Sequence, residues 1–290
     1  MELETNINDA KTSFFKDARI SFYKNKAALI GIIILSVISI MAIIGPYFTK
    51  YTYFETHLEL KNLPPCSEYW FGTDELGRDI FTRTWFGARI SLLIGIAAAL
   101  IDVVIGMIFG AVSALMGKFI DELMMRFCDI LSTIPYLLSV ILLMVFLEPG
   151  VVTILIAITL TGWINMARIV RAEMLSLKKM PFVDAARVMG ASNFRIIFRH
   201  LIPNCLGSII TTMTISIPLA IFTEAFLSFL GLGVQAPISS WGVMVNDGLY
   251  ALRYYPWRLF FPSVMISITM LAFNLVGDGV RDTFDPRIIR

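Results

Sequence analysis

The chain has 290 residues, of which 57% are hydrophobic and only 16% charged, and its formal net charge is +2. With a mean hydropathy of +0.75, this excludes a disordered chain, a collagen-like chain and a small disulfide scaffold. It also leaves no basic excess for a soluble nucleic-acid binder, so the choice lies between a large buried core and several membrane spans.

The placement of the charges favours spans. About 20 apolar residues cross a hydrocarbon core of about 30 Å. Residues 27–48 carry no charge and follow a basic segment with Lys11, Lys16, Arg19, Lys24 and Lys26. The run is longer than a signal-peptide core and ends Ile-Gly-Pro-Tyr, not in a small-x-small cleavage site, so it reads as an uncleaved first helix. A second span is expected over 90–117, with Arg89 at its edge and Asp102 inside. A third is expected over 130–147, and a fourth over 151–167. Glu148-Pro149-Gly150 separates the third from the fourth as a tight hairpin. A fifth is expected over 205–232, charged only at Glu224, and a sixth over 259–276.

Six spans put both termini on one side. With the N-terminus inside, 17 Lys and Arg fall on inside segments and 7 on outside ones, which supports an N-in, C-in orientation. Two pairs at i, i+4 spacing, Asp74–Arg78 and Asp79–Arg83, predict a short surface helix before the second span. That helix either lies flat on the membrane or meets an external protein.

Catalytic and metal signatures are missing from the sequence. Cys66, Cys128 and Cys205 are scattered and read as unpaired small hydrophobes. His57 and His200 form no His-x-x-x-His pair, and there is no Gly-x-Ser-x-Gly. The nearest approach to a phosphate-binding loop, at Gly117-Lys118, has Val112 and Phe119 where Gly and Ser/Thr are needed. Nucleotide chemistry, if transport uses it, lies on another polypeptide. No catalytic residue, metal site or bound cofactor is expected on this chain.

The most informative stretch is 168–203, an inside loop with seven basic residues. Pro181 starts a short helix through Asp184-Ala185-Ala186-Arg187, with two alanines leaving a surface that another protein can approach. Gly190 ends it, and Ser192 caps a second helix over 193–201, which Pro203 ends. Two readings stand: a docking module for a soluble partner through Arg187, Arg195, Arg199 and His200, or a solvated basic loop.

This stretch resembles the signature of binding-protein-dependent ABC importer permeases: Glu-Ala-Ala, three residues, Gly, nine residues, Ile-x-Leu-Pro. Here Asp184-Ala185-Ala186, Gly190 and His200-Leu201-Ile202-Pro203 keep the spacing, with Asp for Glu and His200 at the Ile position. Further segments are similar to the peptide/nickel branch: Phe71-Gly72-Thr73-Asp74-Glu75-Leu76-Gly77-Arg78-Asp79, Gly87-Ala88-Arg89-Ile90-Ser91-Leu92, Glu224 to Gly233, Ser240-Trp241-Gly242, Asn274 to Asp282 and Asp285-Pro286. The N-terminal region looks like the extra module of the C-type permease.

The resemblance implies an all-α integral membrane protein with the type I permease fold, divided into an N-terminal module over 1–70 and a permease core over 71–290. It implies a subunit that carries oligopeptides or dipeptides across a bacterial or archaeal cytoplasmic membrane by alternating access. The same architecture also serves nickel or metal-chelate import. The partners implied are a second homologous permease, two ATP-binding cassette subunits holding ATP and Mg, an extracytoplasmic peptide-binding protein and membrane lipid. The ATPase-coupling residues implied are Asp184, Ala185, Ala186, Arg187, Gly190, Ala191, Arg195, His200 and Pro203. A proton-coupled secondary transporter is the rival class, and it calls for paired intramembrane acids and inverted repeats.

Two acids remain. Asp102 either hydrogen-bonds a neighbouring helix inside the bundle or lines a pathway. Glu224 is either a gating or partner-contact residue or an interfacial carboxylate. Gly106 and Gly110, as Gly-x-x-x-Gly, predict close helix packing. Trp241, Tyr250, Tyr254, Tyr255 and Trp257 predict an interfacial aromatic belt.

Overall fold

The computed structural model describes residues 22–148 and 150–284. Its helices are α1 (Lys26–Ile44), α2 (Ile80–Leu115), α3 (Lys118–Thr133), α4 (Tyr136–Phe146), α5 (Val151–Leu177), α6 (Pro181–Val188), α7 (Asn193–Ile196), α8 (Ile202–Phe229), α9 (Trp241–Leu249) and α10 (Trp257–Phe284). There is no β-strand among the described residues, only one isolated bridge between Thr73 and Asp79. Lys11, Lys16, Arg19, Pro149 and the segment 285–290, all used in reading the sequence, lie outside the described residues.

Five helical stretches are long and apolar enough to cross a membrane, and α3 with α4 makes a sixth if the bent pair counts as one span. The third span is therefore not the straight helix expected over 130–147. α3 and α4 meet at 78°, because Pro135 has no N–H to give and forces Ile134 into an extended conformation (ψ 124). The second span starts ten residues earlier than expected. Asp79 caps α2, its side chain accepting from the Thr82 N–H at 2.9 Å. At about 1.5 Å per residue, the 36 residues of α2 run about 54 Å, well past a bilayer.

The helices pack through small residues. A Cβ on Gly106 would lie 2.6 Å from Met166 Cβ, and one on Gly110 would lie 2.5 Å from the Ala167 carbonyl oxygen. The Gly-x-x-x-Gly of α2 thus lets α5 approach backbone to backbone, as expected. α1 leans on α10 in the same way, since a Cβ on Gly31 would meet the Ala272 carbonyl at 2.7 Å. Arg89 ties α1 to α2, donating from Nε to the Ala42 carbonyl at 2.5 Å and from Nη2 to that of Ile43 at 2.7 Å.

The buried side chains fall into clusters along the bundle. One end holds Phe81, Trp85, Ile221 and Trp241 beneath the connections 45–79 and 230–256. The opposite end holds Ala114, Met174, Val183, Ala186, Ile196 and Leu201 beneath α6 and α7.

Candidate functional site

The stretch 181–203 forms a two-helix projection. Pro181 occupies the first turn of α6, and the helix closes at Gly190, whose φ of +80 lies where glycine is favoured. The Gly190 N–H donates to the Arg187 carbonyl at 2.9 Å, and that of Ala191 to the Ala186 carbonyl at 3.0 Å. A Cβ on Gly190 would meet nothing within 4 Å, so conformation and not crowding requires glycine there. Ser192 caps the next turn, accepting from the Arg195 N–H at 3.3 Å.

Burial divides the predicted residues into two faces. Val183 and Ala186 point into the cluster with Met174 and Ile196. Asp184, Ala185, Arg187 and Arg195 are exposed, and His200 is half-buried. Only Ala185 of the alanine pair is therefore available to a partner, and Ala186 serves packing. Arg187 pairs weakly with Asp184, at 3.4 Å. Pro203 does not end a helix as expected. From Phe194 to Phe229 the chain is one long helical stretch with a π-turn over Ile197–Leu201, and Pro203, which has no N–H to give, sits in the first turn of α8 directly after that turn.

What the loop reading missed is an apolar outer surface. Val188 is 89% exposed, Met189 79% and Phe194 70%, with Phe198 and Phe182 also exposed. The Val188-Met189 pair directly before Gly190 was the available signal, because it stands at the tip of a loop otherwise rich in Arg and Lys. The base of the projection is braced by ions. Arg171 of α5 grips Asp121 of α3 with two donors, each at 2.5 Å, and Asp121 also accepts from Ser113 of α2. Lys178 donates to the Ala114 carbonyl at 3.2 Å.

The two intramembrane acids differ. Asp102 faces α5 inside the bundle, against Gly162, where a Cβ would lie 2.5 Å from its Oδ2. Its Oδ1 is buried with no hydrogen-bond partner, so the expected bond to a neighbouring helix is not formed. Glu224 is not an interfacial carboxylate. It is fully buried, 0% exposed, and accepts from Ser240 at 2.6 Å, Ser228 at 2.8 Å and Ser91 at 3.3 Å. Ser91 also accepts from the Trp241 N–H, so this carboxylate joins α2, α8 and the start of α9. Trp241 leaves the predicted aromatic belt for the core, its indole donating to the Thr84 carbonyl at 2.8 Å. Tyr250 and Tyr254 remain exposed.

At the opposite end from α6 lies a dense charge network. Of the short helix predicted over Asp74 to Arg83, Ile80 to Arg83 are the first turn of α2, and residues 74–78 are instead a tight turn, with Gly77 at φ +73. Within it Arg78 Nε donates to Asp74 Oδ2 at 2.6 Å. Arg83 does not pair with Asp79. It lies 3.5 Å from Asp74 and 3.8 Å from Asp247, and donates to Ser239 Oγ at 3.2 Å. Arg258 donates to Glu75 at 2.7 Å and to Asn62 at 3.1 Å. Burial pushes the carboxyls of Asp79 and Asp247 above their ordinary range, opposed at Asp79 by its Thr82 bonds and at Asp247 by Arg83. Cys66 is exposed, and Cys128 and Cys205 are buried, each of the three a free thiol.

Comparison with known proteins agrees with this architecture. The family described as the binding-protein-dependent transport system inner membrane component matches residues 102–290, and the N-terminal TM domain of oligopeptide transport permease C matches residues 13–65. The chain is 56% identical to the oligopeptide transport system permease protein OppC of Bacillus subtilis, over 97% of this chain and 92% of that one. It is 53% identical to the dipeptide transport system permease protein DppC of the same organism, over 96% and 87%. Among solved structures, a chain of the MetNI methionine ABC transporter in inward-facing conformations shares the fold, with a TM-score of 0.55 at 18% identity over 69% of this chain and 94% of that one. These matches show that the chain belongs to the binding-protein-dependent transport system inner membrane component family and is a permease subunit of the type I fold.

Proposed function

We propose that this chain is one of two permease subunits of an ATP-driven importer of oligopeptides or dipeptides in a bacterial cytoplasmic membrane, working by alternating access. Its relatives at 56% and 53% identity are named for oligopeptide and dipeptide transport, which favours peptides over nickel or a metal chelate. Residues 1–70 add the N-terminal module to the core 71–290. A second, homologous permease completes the path, two ATP-binding cassette subunits supply ATP and Mg, and an extracytoplasmic protein delivers the peptide. The excess of Lys and Arg on the segments around α6 supports a cytoplasmic α6, with the connections 45–79 and 230–256 outside.

The observation that carries this reading is the two-faced projection. Its inner face is packed into the bundle through Val183 and Ala186. Its outer face offers Val188, Met189 and Phe194 to water. Apolar side chains exposed together on a basic loop fit a groove on another protein better than they fit solvent. Asp184, Ala185, Arg187, Gly190, Ala191, Arg195, His200 and Pro203 shape and frame that face. A push on α6 passes to α5 and α2 through Val183, Met174 and Ala114, which share one cluster. That cluster links ATP-driven closure to the path.

Glutamates at both tip positions test the reading. The Val188→Glu, Met189→Glu double variant should insert and fold normally, since both side chains are exposed and surface changes stay within about 0.5 kcal/mol. The ATPase subunits should no longer co-purify, and peptide uptake should cease. Uptake that persists without co-purifying ATPase would sink the proposal.

A further inference from the structure

The network at the external end borders an open cavity of about 290 Å³, between the Arg78 turn and the stretch 231–238. Its polar lining is Arg78, Arg83, Ser228, Gln235, Asn246 and Asp247. Two of these groups are left unfinished. Arg78 gives Nε to Asp74, and among the described residues none takes its two terminal amino groups. Asn246 Oδ1 is buried with no hydrogen-bond partner. Arg83 is different, because Tyr53, Ser239, Asp74 and Asp247 already surround it.

A guanidinium edge with two parallel N–H donors matches a carboxylate, which accepts both at once. A buried carbonyl in the same lining, that of Asn246, calls for an N–H donor. A carboxylate with an amide N–H close behind it is the C-terminus of a peptide. Pockets for small ligands run from about 300 to 1,000 Å³, so this cavity suits the last one or two residues and leaves the remainder outside. The lining holds two guanidiniums and one carboxylate, and Asp74 pairs with both guanidiniums from outside it.

We propose that this cavity is an external subsite for the C-terminal carboxylate of a peptide, held by the free edge of Arg78 while the last amide N–H donates to Asn246 Oδ1. The proposal rests on the reading of the chain as a peptide permease.

The complete transporter in proteoliposomes, with its binding protein, tests it. Uptake of trialanine is compared with uptake of trialanine amide, each corrected for its measured occupancy of the binding protein. The free acid should be favoured by about tenfold or more, as expected for hydrogen bonds to a charged group. Arg78→Lys keeps a cation beside Asp74 but loses the fork, and it should bring the ratio close to one. Asn246→Ala removes a group that makes no bond in the protein, so it should fold, and it should lower the ratio severalfold. An unchanged ratio in Asn246→Ala, or no acid preference in the unmodified transporter, overturns the subsite. Weaker docking of the binding protein to either variant with the ratio intact also overturns it, and points to an acidic side chain of that protein instead. If the unmodified transporter takes up neither peptide, it is the peptide reading that fails.

Discussion

The two ends of the helical bundle handle their polar and apolar groups in opposite ways. At the external end, Asp74, Arg78, Arg83, Asp247, Arg258 and Glu75 are linked by ion pairs, with the outer edge of Arg78 left over, and Arg83 is only 3% exposed. At the cytoplasmic end the few ion pairs of the projection are loose, such as Arg187 with Asp184, and its apolar tip stands in water. A closed network holds its shape alone, while an open apolar face is completed by another chain. Rigidity is therefore built in at one end of the bundle, and incompleteness at the other, where the proposed contact with the ATPase subunits lies.

The largest test of this contrast is Arg83→Ala. It leaves Asp247 without its cation and Asp74 with Arg78 alone; removing one partner of a buried ion pair costs about 3–5 kcal/mol, and the partial exposure of Asp247 puts the expected loss at the low end of that range. Thermal unfolding of the detergent-purified chain should show a marked loss of stability, and a shift of only a degree or two would mean that water already screens the network. Gly190→Val is the intermediate case. A β-branched residue at φ +80 costs about 1–3 kcal/mol, and the strain stays local because no neighbour is crowded. Limited proteolysis should cut the 178–200 loop faster while the external end stays protected, and equal acceleration at both ends would break the comparison. Asp247→Asn should have the smallest effect. Burial raises the folded-state pKa of Asp247 above its unfolded value, so the folded chain holds a proton that the unfolded chain has lost. The stability linked to that proton is present at low pH and fades as pH rises from the ordinary carboxylate range to the raised one. The variant should flatten the pH dependence of unfolding in that window, and an unchanged profile would mean that Asp247 titrates normally.

Much of this is readable from the sequence, for a physical reason. A run such as 27–48 has few ways to hide 22 apolar residues except in lipid, so the long helices follow from composition. Gly106 and Gly110 predict their own close packing, because a missing side chain has a local meaning. Charged residues do not behave so simply. Arg83 at i+4 from Asp79 looks like a surface pair, but its partners are Asp74 and Asp247, and only the folded turn brings Asp247 near. Glu224 can pass for an interfacial carboxylate because its serine donors, at positions 91, 228 and 240, are scattered along the chain. Pro135 lies inside an uncharged run, and a count of charges ignores the missing N–H that bends α3 from α4. At the candidate site, the backbone of the loop is legible from Pro181, Gly190 and Ser192. The division of Ala185 from Ala186 is not, since adjacent helical residues differ only in what lies behind them.

The π-turn over Ile197–Leu201 carries a consequence in genetic terms. Its closing bond runs from the Ile202 N–H to the Ile197 carbonyl, one residue more than an α-turn uses. In effect a single extra codon is absorbed between the α6–α7 projection and the membrane span. Upstream Ile196 faces the interior, and downstream Leu201 and Cys205 do so as well, although their spacing changes from five residues to four. The turn works as a phase adjuster. It takes up the extra residue so that α8 stays in register with its neighbours.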